Sequence, residues 1–375
     1  MSLFYRSLLQ FSGALRDWWW SVDRVLVFTF CTLMAVGLVL SLAASPGAAA
    51  SNHIADPFYF FFRHSVFAGT GLIIMVLVSL ADPVNARRFA NLVLIGSLLL
   101  MIYIIFAGHE AKGAQRWVRI GSFSLQPSEF LKPGFVVTVA WLFSRAKIKG
   151  SPTMILAFMV LGVTISLLMK QPDLGQTVLI TASFGAVFFL SGMSWVWIIG
   201  LGTFCLAGLY AAYTFFPYIA ARVQHFLAPS GDGNSQTDRA LEALTGGGIF
   251  GRGPGEGVIK WILPEAHTDY IFSVAVEEFG TLAALFIITL FSIILFRGFS
   301  SALRLTDQTE QLAVAGLSVL IGLQAAINIA VNLHISPPEG MTLPFLSYGG
   351  SSMLAMSITA GLLLAFTRRR PGAFE

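Results

Sequence analysis

An all-α polytopic membrane protein of about ten transmembrane helices is the fold this sequence predicts, and three observations predict it. Of 375 residues, 56% are hydrophobic and only 11% are charged. The mean hydropathy is +0.76, well above what a soluble domain of this length needs to fill a core. The apolar residues also fall in runs long enough, at about 1.5 Å per residue, to cross a bilayer.

In chain order those runs cover 24–44, 58–80, 89–107, 128–145, 152–169, 174–191, 194–215, 271–296, 311–334 and 342–366. Residues 1–23 precede the first run, and Trp18, Trp19 and Trp20 within them suit a membrane interface. The first run ends in "AASPGAAAS", small residues of the kind a signal peptidase accepts, but it is longer than the apolar region of a signal peptide. It is therefore read as a retained first helix. Cys31 and Cys205 fall inside runs and predict small buried hydrophobes with no disulfide framework. Between the seventh and eighth runs, residues 216–270 hold "PSGDGNSQTD" and "GGGIFGRGPGEG", too polar and glycine-rich for a separate domain. They read as a lip over one membrane domain spanning 1–375, with 367–375 as its tail. No domain-sized repeat and no matching pair of interrupted helices occurs.

Orientation follows from the bias of Lys and Arg toward cytoplasmic loops. With both termini inside, the inner segments hold Arg6, Arg16, Arg24, Arg87, Arg88, Arg145, Lys147, Lys149, Arg297, Arg304 and Arg368 to Arg370. Most acids then lie outside, including all of 216–270. In four places a proline stands just before an acid ahead of an even-numbered span: "QPSE" at 126–129, "QPD" at 171–173, "LPE" at 263–265 and "PPEG" at 337–340. Proline in a first helical turn and carboxylates at the positive end of a helix dipole account for one such site as well as function does. Four on one face would ring a common mouth.

Capping leaves the outer cations unexplained. Arg116, Arg119, Lys132, Lys170, Arg252 and Lys260 lie against the usual bias and call for anionic partners. Glu129 and Lys132 can pair at i, i+3; the others suit a phosphate. If Asp269 belongs to the eighth helix, then Asp269, Ser273 and Glu277 form a polar stripe facing a cavity, although a structural ion pair explains Glu277 slightly better. His267 has no second histidine at ligand spacing, so no zinc site is expected. The glycine-rich stretch lacks the ending of a P-loop, and no G-x-S-x-G elbow appears. No nucleic-acid partner is expected.

These residues sit inside longer motifs. "RWVRIGSFSLQPSEFLK", "KQPDLGQT", "GGGIFGRGPGEGVIKWILPEAHTDYIFSVAVEEFG" and "PPEGMTLPFLSYGGSSM" occur in this order. With the ten-span layout they resemble, over nearly the whole chain, the SEDS family (shape, elongation, division and sporulation) of bacterial peptidoglycan glycosyltransferases. "LPEAHTD" and "GMTLPFLSYGGSS" resemble the division branch more than the elongation branch. Two positions depart from the pattern: Tyr270 where the family usually has Phe, and Glu339 where the division branch often has Lys.

The resemblance implies an enzyme of the bacterial inner membrane that polymerises lipid II at the division septum, with inversion at the sugar carbon. It implies Asp269 as the general base, with Glu129, Lys132 and Asp173 in the same cavity. Arg116, Trp117, Arg252, Glu265, His267, Ser347, Tyr348 and Ser351 are implied as further substrate contacts. A divalent cation, Mg or Mn, would share in neutralising the leaving pyrophosphate. A class B penicillin-binding transpeptidase and other divisome proteins are the implied partners. An elongation-type polymerase, a lipid II flippase and a scaffold are the rival readings. A flippase needs polar access from the inner side, whereas the intramembrane acids cluster near the outer face.

Overall fold

A computed structural model describes residues 16–107, 109–111, 114–121, 123–146, 152–193, 195–227 and 236–369. The segments 1–15 and 370–375, Lys147, Lys149 and most of "PSGDGNSQTD" lie outside the described residues, as does the side chain of Cys205. Every expected span is a helix. In order these are α1 Arg24–Ser51, α2 Tyr59–Ser79, α3 Pro83–Ala107, α4 Pro127–Arg145, α5 Thr153–Lys170, α6 Leu174–Leu190 and α7 Trp195–Phe215. Two shorter helices follow, α8 Pro217–Leu227 and α9 Gln236–Gly247, and then α10 Ile271–Ala302, α11 Gln308–Asn332 and α12 Gly350–Thr367. Eight of these are long and apolar enough to cross a membrane. The other two expected spans are α6, with 17 residues, and α4, which carries Glu129 and Lys132 in its first two turns.

Local chemistry fixes several helix starts. Asp23 accepts hydrogen bonds from the N–H groups of Val25 and Leu26 at the start of α1, Asp173 does the same for Gln176 in α6, and Asp307 for Glu310 in α11. Pro127 occupies the first turn of α4, where its missing N–H is not needed. The core lies around α4, α11 and α12. Leu131, Phe135, Val139, Leu317, Leu320, Leu362 and Leu363 are fully buried there, while α7 presents most of its apolar surface outward.

The chain departs from the sequence reading in several places, three of them in the helices and their connections. Residues between α3 and α4 form a small antiparallel sheet, β1 His109–Ala111, β2 Ala114–Ile120 and β3 Phe123–Leu125, in the order β1-β2-β3. The last helix starts at Gly350 and not near 342. Residues 333–349 instead run irregularly across the end of the bundle, with Pro337, Pro338 and Pro344 breaking helical pairing and positive φ at Gly340 and Phe345. And α10 starts at Ile271, so Asp269 is not on its face and the expected stripe from Asp269 through Ser273 does not form.

The segment 216–270 is more structured than its composition suggests. Helix α9 packs on α10 and buries Ala240 and Ala243. The glycine-rich stretch after it docks by backbone. Arg252 N–H donates to Glu277 O at 2.9 Å, Gly253 N–H to Glu278 O at 3.0 Å and Thr281 N–H to Gly248 O at 3.0 Å. At Gly251, with φ +82°, an added Cβ would lie 2.1 Å from Glu278 O. At Gly280, with φ +77°, it would lie 2.1 Å from Ile249 O. Only glycine permits both this backbone geometry and this approach, and Gly280 is where α10 kinks.

Candidate active site

One end of the bundle collects the ends of α1, α3, α5, α7 and α11 with the starts of α2, α4, α6, α10 and α12, as the alternation of helices requires. Most of the sequence-predicted site residues lie at this end. In α4, Lys132 is 0% exposed and its Nζ donates to Glu129 Oε2 at 2.7 Å and to Gln324 Oε1 at 2.8 Å. The second oxygen of Glu129 accepts from Gln176 Nε2 at 2.6 Å. The pair is thus fully enclosed, with partners from α6 and α11, as a buried charge requires.

Above that pair stands a second carboxylate group. Asp173, at the start of α6, faces Arg116 of β2 at 3.7 Å, and Arg116 Nε also donates to Gln171 O at 2.8 Å. The small sheet therefore carries a guanidinium over to the start of α6. Burial pushes the Asp173 carboxyl above its usual range, against the lowering effects of Arg116 and of the Gln176 N–H. Glu339, from the irregular segment, lies over Gly175, where an added Cβ would be 3.0 Å from Glu339 Oε2. It faces Arg222 of α8 at 3.9 Å. Burial raises its carboxyl too, with Arg222 opposing and Asp173 reinforcing.

Asp269 is half-buried beside this group. It lies in a tight turn in which the N–H groups of Thr268, Asp269 and Tyr270 converge on Glu265 O, and Glu265 itself has φ +57°. Neither "LPE" nor "PPEG" starts a helix, so the capping account covers only "QPSE" and "QPD" of the four. Asp269 Oδ2 lies 3.9 Å from the point where a Cβ on Gly340 would stand, so Glu339 and Gly340 link it to Asp173.

The backbone of Asp269 is held by amides of α11. Asn328 Nδ2 donates to Asp269 O at 2.9 Å and to Met341 O at 2.7 Å, and Asn332 Nδ2 donates to Asp269 O at 3.0 Å. Asn332 Oδ1 accepts from Ser273 Oγ at 2.7 Å, while Gln324 Nε2 donates to Thr342 O at 3.0 Å. Gln324, Asn328 and Asn332, at i, i+4 and i+8, thus connect the Glu129–Lys132 pair to the Asp269 turn through one helix face. The sequence reading missed these three, together with Gln126, Gln176 and Arg222. Three amides at that spacing in an apolar span were the available signal. Tyr270, at the departure from Phe, has a buried hydroxyl with no hydrogen-bond partner among the described residues. Phe there would forfeit no hydrogen bond.

The remaining predicted residues lie at the same end, outside this cluster. His267 packs on Phe60, with ring centroids 4.4 Å apart, and Tyr348 lies 5.5 Å from it. The Tyr348 N–H donates to His267 O at 2.9 Å, which fixes the turn against the start of α12. Ser347 Oγ accepts from Leu343 N–H, and Ser351 Oγ donates to Ser124 O and accepts from Gln126 N–H. Trp117 lies across from His109 in the sheet. Arg252 is 3.8 Å from Glu277, whose Oε1 accepts from the N–H groups of Val258 and Ile259, and Lys260 pairs with Glu278 at 2.5 Å. Glu277 therefore holds the 216–270 segment in place, as the ion-pair reading proposed, although its partners come from a loop and not from a neighbouring helix. The outer cations Arg116, Lys132, Arg252 and Lys260 each face a carboxylate of the chain, whereas Arg119 and Lys170 are exposed.

No group of three or more His, Cys, Asp or Glu side chains that could hold a metal occurs among the described residues. Asp173 and Glu339 are each matched to an arginine. These residues do not fit a divalent ion held by the protein, and such an ion would depend on the substrate for most of its ligands.

Fold and site together define a multi-pass helical membrane protein with its buried ionisable groups concentrated at one end. The chain belongs to the FtsW/RodA/SpoVE family: the family model described as "Cell cycle protein" matches residues 23–371. It is 48% identical over 362 residues to the probable peptidoglycan glycosyltransferase FtsW of Caulobacter vibrioides, covering 96% of this chain and 93% of that protein. It is 33% identical to the stage V sporulation protein E of Bacillus subtilis, covering 93% of this chain and 97% of that protein. Among solved structures, RodA of Thermus thermophilus superposes with a TM-score of 0.70 at 27% identity, covering 93% of this chain and 97% of that one. A chain from a study of a peptidoglycan synthase complex that coordinates polymerization and crosslinking superposes at 0.76 with 28% identity, covering 92% and 97%.

Proposed function

We propose that this protein is the peptidoglycan glycosyltransferase of cell division and polymerises lipid II. The observation that carries this reading is the placement of Asp269, on a turn braced by α11, beside the Arg116–Asp173 and Arg222–Glu339 pairs. Family membership and the names of the relatives support it. The end of the bundle that holds the site faces outward, with both termini inside, and residues 216–270 form the lip around it.

In the reaction Asp269 takes the proton from the 4-hydroxyl of the acceptor N-acetylglucosamine. The oxygen of that hydroxyl forms a bond to C1 of the donor N-acetylmuramic acid as the bond from C1 to the pyrophosphate oxygen breaks. The electron pair leaves with polyprenyl pyrophosphate, and the α linkage becomes β in one inverting step. Such a step requires a base within reach of the hydroxyl and positive charge at the departing group. Arg116 and Arg222, both partly exposed, supply that charge, and the buried Glu129–Lys132 pair holds α4 and α11 in register beneath them. Of the other implied residues, His267 and Tyr348 position the Asp269 turn, Ser347 and Ser351 shape the start of α12, and Trp117 and Glu265 border the substrate. Arg252 anchors the lip. A class B penicillin-binding transpeptidase crosslinks the product at the septum, alongside other divisome proteins.

A flippase would need charged groups continued toward the opposite end. Among the described residues the nearest ion pair there is Arg297–Asp23, at the start of α1, separated from the site by an apolar core. Purified protein reconstituted with lipid II decides between the two: glycan strands support the polymerase, and movement of lipid II between leaflets without glycan formation supports the flippase.

A further inference from the structure

At the end of the bundle away from Asp269, three arginines gather without a carboxylate. Arg87 and Arg88 stand in the second turn of α3, and Arg145 is the last residue of α4. The two helices approach closely: an added Cβ on Gly134 of α4 would lie 2.6 Å from Ala90 O, and Thr138 Oγ1 hydrogen-bonds Asn91 Oδ1 at 2.8 Å. That contact brings Arg87 and Arg145 to one ring. Their guanidinium carbons lie 5.5 and 5.8 Å from the centre of the half-buried Trp141, so they stand no more than 11.3 Å apart, the sum of the two distances. Arg88 and Arg145 are exposed and Arg87 is half-buried.

None of the three has an acid within ion-pair distance among the described residues. Elsewhere at this end the chain answers its own arginines: Arg297 Nε donates to Asp23 Oδ2 at 2.7 Å, and Arg368 donates to Leu80 O at 2.9 Å and to Ser21 Oγ at 3.1 Å. Like charges gathered this way repel one another unless an anion joins them. The surface of α3 decides what lies beside them. From Arg88, Leu92, Ile95 and Leu99 follow at i+4, i+7 and i+11, which continues one face of the helix. All three are exposed, and an exposed apolar stripe on a membrane-spanning helix faces acyl chains. Trp141 is the type of residue that marks the boundary between those chains and the headgroups. The arginines therefore stand at headgroup depth, at the end of a stripe that acyl chains cover.

We propose that Arg87, Arg88 and Arg145 form a binding site for the phosphodiester headgroup of an anionic phospholipid, with its acyl chains along Leu92, Ile95 and Leu99. Guanidinium groups suit phosphate oxygens. Three positive charges with no acid beside them also favour a headgroup of net negative charge over a zwitterionic one, whose ammonium group they repel. Each basic residue at an anionic membrane surface is worth roughly fivefold in affinity, so the three together give about a hundredfold. The site lies apart from Asp269 and depends neither on the reaction nor on which end of the bundle faces outward.

The test titrates the full-length protein in detergent with dioleoyl phosphatidylglycerol and, separately, with dioleoyl phosphatidylcholine, and reads the bound lipid by native mass spectrometry. The wild type should hold phosphatidylglycerol roughly tenfold more tightly or better. Combining Arg87→Gln, Arg88→Gln and Arg145→Gln should abolish that preference, whereas the three lysine replacements together should keep most of it. Arg304→Gln, at an exposed position of the same end outside the site, should leave it within about twofold. Glycerophosphoglycerol, the same headgroup without acyl chains, should bind far more weakly than the lipid. Equal affinity of the wild type for the two lipids, or an undiminished preference in the triple glutamine variant, overturns the proposal. Arg88→Gln alone should cost roughly fivefold, and no loss there overturns it even if the triple variant fails to fold. Free headgroup that binds as tightly as the lipid, or a poly-glutamate peptide that binds more tightly than phosphatidylglycerol, overturns the lipid as occupant.

Discussion

Replacing Lys132 by Met keeps the stem of the side chain and deletes its charge at a site with 0% exposure. Lys132 Nζ makes two short hydrogen bonds, to Glu129 at 2.7 Å and Gln324 at 2.8 Å, and both are lost. Glu129 then keeps only Gln176 as a donor, with its carboxylate still enclosed. Breaking a buried pair from one side costs about 3 to 5 kcal/mol, because the remaining charge is left without compensation. At about 1.4 kcal/mol per tenfold, that shifts the folded-to-unfolded ratio by roughly two to three and a half orders of magnitude. A surface pair would lose well under about 1 kcal/mol. Adding Glu129→Gln removes the orphaned charge, so the double variant should regain stability to within about 1 kcal/mol of wild type. It should still fail to polymerise lipid II, since the ionic tie between α4 and α11 beneath the arginines is gone. Thermal unfolding in detergent, with polymerisation measured on the same preparations, reads both effects. A Lys132→Met protein as stable as wild type refutes the burial argument, and a polymerising double variant refutes the functional one.

Other consequences concern protonation, the lip and orientation. Because burial raises the folded-state pKa of Glu339, the folded protein binds its proton more tightly, and stability falls as pH rises through that value. Glu339→Gln should therefore match wild type below the ordinary glutamate value of 4.5 and become the more stable protein as pH rises above it; a stability difference independent of pH contradicts this. Gly280→Ala puts a methyl 2.1 Å from Ile249 O at a positive φ, so limited proteolysis should cut the 216–270 segment faster than in wild type, with the helices intact. Single cysteines at Thr245 and Thr306, both exposed, should respectively react and not react with an impermeant thiol reagent in intact spheroplasts; the opposite pattern reverses the orientation.

The spans were legible because hydropathy and length alone determine where a helix can cross a bilayer. Of the candidate site, the charges were legible, since ionisable residues near an apolar run are few and Asp269, Asp173, Glu129 and Lys132 stand out. What the sequence did not disclose is which charges answer each other. Arg116 reaches Asp173 only because the chain before α4 folds into a sheet, a short polar stretch without strong strand patterning. The stripe of Asp269, Ser273 and Glu277, the alternative to an ion pair at Glu277, fails because the chain turns at Glu265 and α10 starts after Asp269. The glycines of "GGGIFGRGPGEG" read only as part of a polar lip, whereas they let two backbones approach within hydrogen-bonding distance. The asparagines of α11 were passed over because neutral amides carry no charge to mark them, although their spacing of four residues placed them on one face.

The most direct measurement is lipid II polymerisation by purified wild type and Asp269→Asn at equal yield. Asparagine keeps the shape of the side chain and leaves the bonds from Asn328 and Asn332 to the Asp269 backbone in place, but it cannot accept the proton. Asp269→Asn should fold and unfold like wild type and make no glycan strands. Long glycan strands from that variant contradict the account and place the base elsewhere in the site.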